Sequence, residues 1–201
     1  MDKMKEQKFF DSTIKLFEDY KRKMIKEKAG SYNSNLANEI HIRLKQLSFI
    51  YEKVRYYDRK IICPIENLSI KEVQKLTIKD TLKGIRFLDE GIVFVETFYF
   101  FAWRIIYITE HYTEPLPYLK GLKEKAKGIT IVRNCLIEHP EKQKEKIYMY
   151  SYAWGNDDRG PILKNARPTM QSFEISDNGF WKNAKEFKDG LEELLQSALV
   201  A

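Results

Sequence analysis

Histidine and cysteine are scarce in this chain. Its 201 residues include three histidines, His41, His111 and His139, and two cysteines, Cys63 and Cys135. Two cysteines build no disulfide framework, and neither stands in a Cys-x-x-Cys pair. No two histidines lie four apart and no cluster of three or more Cys and His at ligand spacing is present, so no zinc site is expected. Six prolines and nine glycines are too few for a collagen-like or linker-dominated chain. Phosphate-cradling loops of the GxxxxGK[ST] or GxGxxG type are missing, as is a G-x-S-x-G nucleophile turn. The chemistry therefore calls for no metal and no cofactor. The start, MDKMKEQKFF, lacks an apolar signal core, so a reduced, cytoplasmic setting is expected.

Long apolar runs are nearly missing too. Residues 91–108, GIVFVETFYFFAWRIIYI, approach the length of a membrane span. Glu96 and Arg104 lie inside the run, and each would cost about 2.5–3.5 kcal/mol at mid-bilayer. The segment reads as a buried helix, with no membrane partner.

What the chain does have is charge, aromatics and helical periodicity. Apolar residues make up 43% and aromatics 13%, enough for one well-filled core in a single domain over 1–201. There are 35 Lys and Arg against 29 Asp and Glu, a net charge of +6. Residues 1–60 hold 15 of the former and 9 of the latter, so the excess resides there. That balance permits a polyanionic partner without requiring one. The basic run near 21–28 reads first as a solvated helical face and second as a phosphate-binding one.

Phe9, Phe10, Ile14, Phe17 and Tyr20 recur at threes and fours and predict a first helix ended by Ala29-Gly30-Ser31. Asn33 or Ser34 can cap a second, with stripe Leu36, Ile40, Leu44, Leu47, Ile50 and Tyr51. Pro64 is expected to break it, and Ser69 or Thr77 to cap an aromatic helix over about 78–112 with an interruption near Gly91. Pro115 and Pro117 make a stop. A fourth long helix is expected over about 118–139, with stripe Leu119, Leu122, Ala126, Ile129, Val132 and Leu136 and closure at Pro140.

After Lys146 the period shifts to two. Tyr148, Tyr150, Tyr152 and Trp154 alternate with smaller residues, GNDDRGP reads as a turn with Asp157-Asp158 as turn chemistry, and Ile162-Leu163 and Phe173–Ile175 can supply partner strands. The tyrosine row reads mainly as packing against the bundle, with base stacking as the alternative. Asp177 or Asn178 then caps a last helix with stripe Phe180, Ala184, Phe187, Leu191, Leu194 and Ala198. The expected fold is mainly α: a helical bundle with a small β-hairpin insertion, about 147–176, before the C-terminal helix.

One stretch joins groups that polarise and titrate: Val132-Arg133-Asn134-Cys135-Leu136-Ile137-Glu138-His139-Pro140. The sequence RNCLIEHPEK resembles the HEPN superfamily motif, an Arg, four to six residues, then a His, often with a polar residue after the Arg. Those proteins are small helical bundles; they include metal-independent endoribonucleases, toxins of toxin–antitoxin pairs and non-catalytic members. The resemblance implies RNA as partner, a homodimer that sets two motifs across one cleft, and a cognate antitoxin or other protein partner.

Metal-free RNA cleavage uses the 2′-hydroxyl as internal nucleophile. It needs a base for that proton, an acid for the leaving 5′ oxygen and a fixed cation for the charge on phosphorus. His139 can transfer protons near neutral pH. Arg133 offers a planar fork for phosphate oxygens. Asn134 can hold a phosphate oxygen or orient either neighbour. Six helical positions put Arg133 and His139 about 120° apart and about 9 Å apart along the axis, flanking a groove. Arg104 and His111 give a second match, but without the asparagine and in a helix that reads as core. Arg133/His139 is preferred because a helix end opens toward solvent. The plainer reading has Arg133 paired with Glu138 or another carboxylate, His139 as a C-terminal capping cation, and Asn134 facing solvent. His41 and His111 read as structural. A non-catalytic nucleic-acid- or protein-binding module is the alternative function.

Overall fold

Two long amphipathic helices form the backbone of the fold. In a computed structural model, which describes residues 8–27, 34–66, 75, 78–112, 116, 118–134, 153–157, 160–164 and 180–201, they are α2 (Ser34–Glu66) and α3 (Ile78–His111). They run antiparallel: Glu39 meets Arg104 at one end, and Tyr57 meets Glu90 and Phe94 at the other. The helix α1 (Asp11–Lys26) lies against α2. Two short helices, α4 (Leu122–Lys125) and α5 (Lys127–Arg133), lie against α3. The last helix, α6 (Phe180–Val200), touches α1, α4 and α5 and closes the ring. The chain is mainly α, a helical bundle.

The aromatic excess goes to the centre. Phe10, Phe17, Tyr20, Phe98, Tyr99, Phe180 and Phe187 are fully buried. Phe98 meets Phe180 edge-on at 4.9 Å, and Phe180 meets Trp181 the same way at 4.9 Å. Edge-to-face pairs add about 0.5–1.5 kcal/mol each beyond the area they bury. The stripes expected for the first, second and last helices are buried in the main, with Ala37, Val54, Gly190 and Leu195 extending them. Leu36, Tyr51 and Leu194 pack at the edge of the core.

Three expectations need correction. Helix α2 continues through Pro64 to Glu66; proline in a last turn removes a single backbone hydrogen bond, which a helix end tolerates better than an interior. Gly91 does not interrupt α3, which is continuous and buries Gly91. The expected fourth long helix is instead a turn followed by α4 and α5. Tyr118 and Gly121 take positive φ values of 71° and 100°, and Ala126 leaves the helical region with φ −125° and ψ 45°. The break lets α5 come close to α6: a Cβ built on Gly128 would lie 1.9 Å from Asn183 Oδ1.

Between α5 and α6 the described residues are two short strands, β1 (Ala153–Asp157) and β2 (Gly160–Lys164). They pair antiparallel, Trp154 opposite Leu163 and Asn156 opposite Pro161. The pairing takes in residues 155–157 and 160–161 of the segment expected to turn. Tyr148, Tyr150, Tyr152, Phe173–Ile175, Asp158, Asp177, Asn178, Ser69, Thr77, Asn33, Pro115, Pro117 and residues 29–31 lie outside the described residues. Among the described residues no helix is long and apolar enough to cross a membrane.

Candidate functional site

Arg133 is the last residue of α5, and α5 is held down on both sides. Gly128, Ile129 and Val132 are buried. Glu110, near the end of α3, accepts hydrogen bonds from the Gly121 and Lys123 amides at 2.9 and 3.1 Å. One carboxylate thus satisfies two orphan amide donors at the entry to α4 and pins the turn to α3.

The guanidinium of Arg133 lies 3.7 Å from the centroid of the Trp103 ring, stacked over its face. Its Nη1 donates to Asn134 Oδ1 at 3.3 Å. Only 8% of Arg133 is exposed. The expectation that this residue stands at an open helix end is therefore corrected. A cation leaving water needs replacement for its hydration, and the π face and the amide oxygen supply part of it. Asn134, half-buried, continues the helical conformation with φ −62° and ψ −40°. Of the roles expected for it, holding a phosphate oxygen or orienting Arg133 or His139, the structure shows only that its Oδ1 accepts from Arg133. His139, Glu138 and Cys135 lie outside the described residues.

The competing pair is also not where its sequence put it. Arg104 and His111 face outward and not into the core: Arg104 is partly exposed and His111 exposed. Arg104 is nevertheless committed. Its Nε donates to Glu39 Oε1 at 2.9 Å and its Nη2 to Glu39 Oε2 at 3.5 Å, tying α3 to α2. The His111 ring stacks on Tyr107 with centroids 4.1 Å apart, and its Nδ1 lies 3.0 Å from the Tyr107 carbonyl oxygen. Arg133 has the Trp103 ring and the Asn134 amide against it, and Arg104 has the Glu39 carboxylate.

His41 is structural. Its Nε2 lies 3.0 Å from Glu18 Oε1, joining α2 to α1. Burial lowers its pKa below the ordinary value; Lys45 and Lys21 lower it further, and Glu18 opposes them. In the basic run, Lys23 donates to the Ala198 and Leu199 carbonyls at the end of α6, at 3.1 and 3.3 Å. That is a helix C-cap role for one of the lysines expected on a solvated face.

No group of three or more His, Cys, Asp or Glu among the described residues is arranged to hold a metal ion. Sequence reasoning missed Trp103 as the platform of Arg133, since thirty positions separate them and no local pattern links them. Asn183 was missed as well: it is buried, its Nδ2 donates to Tyr99 Oη at 2.9 Å, and it lies against Gly128. Comparison with protein families, with curated proteins and with solved structures gave no match.

Proposed function

We propose that this chain is a HEPN-like, metal-independent endoribonuclease that cleaves RNA through its 2′-hydroxyl. The observation that carries the reading is the setting of Arg133, whose plane is fixed by Trp103 and whose fork is tied to Asn134. A cation held in place before its substrate arrives needs no reorganisation, and partial burial strengthens its field. Arg133 stabilises charge on phosphorus, Asn134 orients it, and His139 transfers protons. A single histidine serves poorly as both acid and base, so the reading includes a homodimer with two motifs across a cleft. A cytoplasmic toxin or defence role with a cognate antitoxin follows from the same resemblance. The strand pair belongs, in this reading, to a hairpin insertion within one domain.

The test is incubation of purified protein with single-stranded RNA in EDTA. Arg133→Ala and His139→Ala each abolish cleavage while leaving the circular dichroism spectrum unchanged. Wild-type protein that leaves RNA intact with or without divalent ions contradicts the reading.

A second reading is a non-catalytic module on the same scaffold, binding nucleic acid or protein. The low exposure of Arg133 favours it, because donors held off the surface reach a phosphodiester with difficulty. Binding of RNA without any cleavage, unaffected by His139→Ala, distinguishes it.

A further inference from the structure

Aromatic rings line the outer side of α3 toward its end. Trp103, Tyr107 and His111 stand four apart and so share one face of the helix. Ring centroids are 5.3 Å apart for Trp103 and Tyr107, and 4.1 Å apart for Tyr107 and His111. Tyr112 meets Tyr107 edge-on at 6.4 Å. The Arg133 guanidinium lies over Trp103, and the Arg104 guanidinium lies 5.7 Å from the Tyr107 centroid. From Trp103 to His111 the row spans about 12 Å along the axis. It opens to solvent at one end: Trp103 and Tyr107 are partly exposed, His111 and Tyr112 exposed. The His111 ring has Tyr107 against one face and, among the described residues, no further ring against the other. A row of rings that packed a core would end inside it, and this one ends in water.

The same end of the bundle is basic. The Glu110 carboxylate, next to His111 in the chain, holds the Gly121 and Lys123 amides and so brings the turn before α4 beside the row. Lys120 and Lys123 are exposed there and form no ion pair among the described residues, whereas Lys125 and Lys127 pair with Glu193 and Glu124. The nearby carboxylates are committed, Glu110 to those amides and Glu39 to Arg104. Tyr118, on the same turn, keeps 55% of its surface exposed at a φ of 71°, a conformation that bulky residues rarely adopt. We propose that this end of α3 is the binding site for an unpaired stretch of RNA, with a base stacked on the open face of His111 and phosphates on Lys120 and Lys123. The site rests on the RNA reading above for the identity of its ligand. Stacked rings beside ammonium groups fit a strand whose bases are turned out, since each base offers a π face and each phosphate a charge. In a duplex the bases are paired and already stacked on one another, so the site selects single strands. At about 3.4 Å per nucleotide of a stacked strand, the row covers roughly three to four nucleotides. It thus reaches from His111 to Trp103 and the Arg133 guanidinium over it.

Fluorescence anisotropy with a labelled oligouridine tests it, all 2′-hydroxyls of the strand being methylated so that it cannot be cut through them. Wild type is expected to bind the single strand, and to bind it poorly once it is annealed to its complement. His111→Ala and Tyr112→Ala each weaken binding at least about fivefold. His111→Phe, which keeps a flat ring and loses the imidazole, binds within about twofold of wild type. Lys120→Ala and Lys123→Ala each lower the slope of log affinity against log salt by about 0.7. All of these side chains are exposed, so the circular dichroism spectrum stays unchanged. The proposal is overturned by a wild type that does not bind, by equal binding of the duplex, or by alanine variants as tight as wild type. His111→Phe as weak as His111→Ala overturns it too, as do salt slopes indifferent to both lysines. Cleavage of unmodified RNA is measured on the same proteins. Ring-dependent binding without cleavage contradicts the ribonuclease reading and leaves the site standing; cleavage with binding indifferent to the ring variants does the reverse.

Discussion

Arg133 shows how a charged side chain can be nearly buried with a ring face and an amide oxygen against it. Stacking over an indole and donating to the next residue's amide are both open to a guanidinium and poorly imitated by an ammonium. Arg133→Lys keeps the charge but loses the flat stack and the fork. It is expected to lower stability by about 1–2 kcal/mol, read from urea denaturation, and to change the fluorescence of Trp103. Two other residues set the acid response. Folding holds His41 below its ordinary value of 6.5. The unfolded chain therefore takes up that proton first, and stability falls as pH drops below about 6.5. Glu192 behaves as a second step. Burial pushes its carboxyl up, but bonds from Lys188, Ser12 and Thr13 outweigh this and leave it below its ordinary 4.5. The stability contributed by its charge is complete above about 4.5 and is lost as pH falls through the lowered folded value. Thermal melts against pH are expected to show both declines. His41→Gln removes the first. Glu192→Gln removes the second and costs about 1–3 kcal/mol at neutral pH, because the acceptor of the Ser12 and Thr13 hydroxyls, 2.7 Å from each, is no longer charged.

Elements were legible in the sequence wherever one period ran unbroken. Phe10, Phe17 and Tyr20 marked α1, and Phe180, Ala184, Phe187 and Leu191 marked α6, because a buried stripe leaves a 3.6-residue trace. The stretch 118–139 misled for the same reason: Leu119, Leu122, Ala126, Ile129 and Val132 are all buried, yet they sit on a turn and two short helices. Periodicity records which residues face the core and is blind to a break that keeps them there. Gly128 was the local sign of that break. It lies against Asn183, and Gly128→Ala would force a Cβ into the Asn183 amide. The substitution is expected to cost about 1–3 kcal/mol by parting α5 from α6, measured as a lower denaturation midpoint. Alanine is otherwise the better helix former by about 1 kcal/mol, so the sign of the result alone decides whether the close approach governs this position.

At the scale of the whole molecule, a ring of helices around an aromatic centre was readable from composition and stripes, while the surroundings of the candidate site were not. The choice of Arg133 over Arg104 assumed an exposed helix end and a buried aromatic helix. Arg133 is nearly buried; the aromatic helix does supply core residues, but Arg104 lies on its outer side, paired with Glu39. Such partners come from distant parts of the chain and leave no local signature. The most direct measurement is analysis of the ends of RNA fragments produced in EDTA by wild type and by His139→Ala. A 2′,3′-cyclic phosphate end from wild type and no fragments from the variant is the predicted result. Intact RNA from both proteins, or equal fragments from both, contradicts the account.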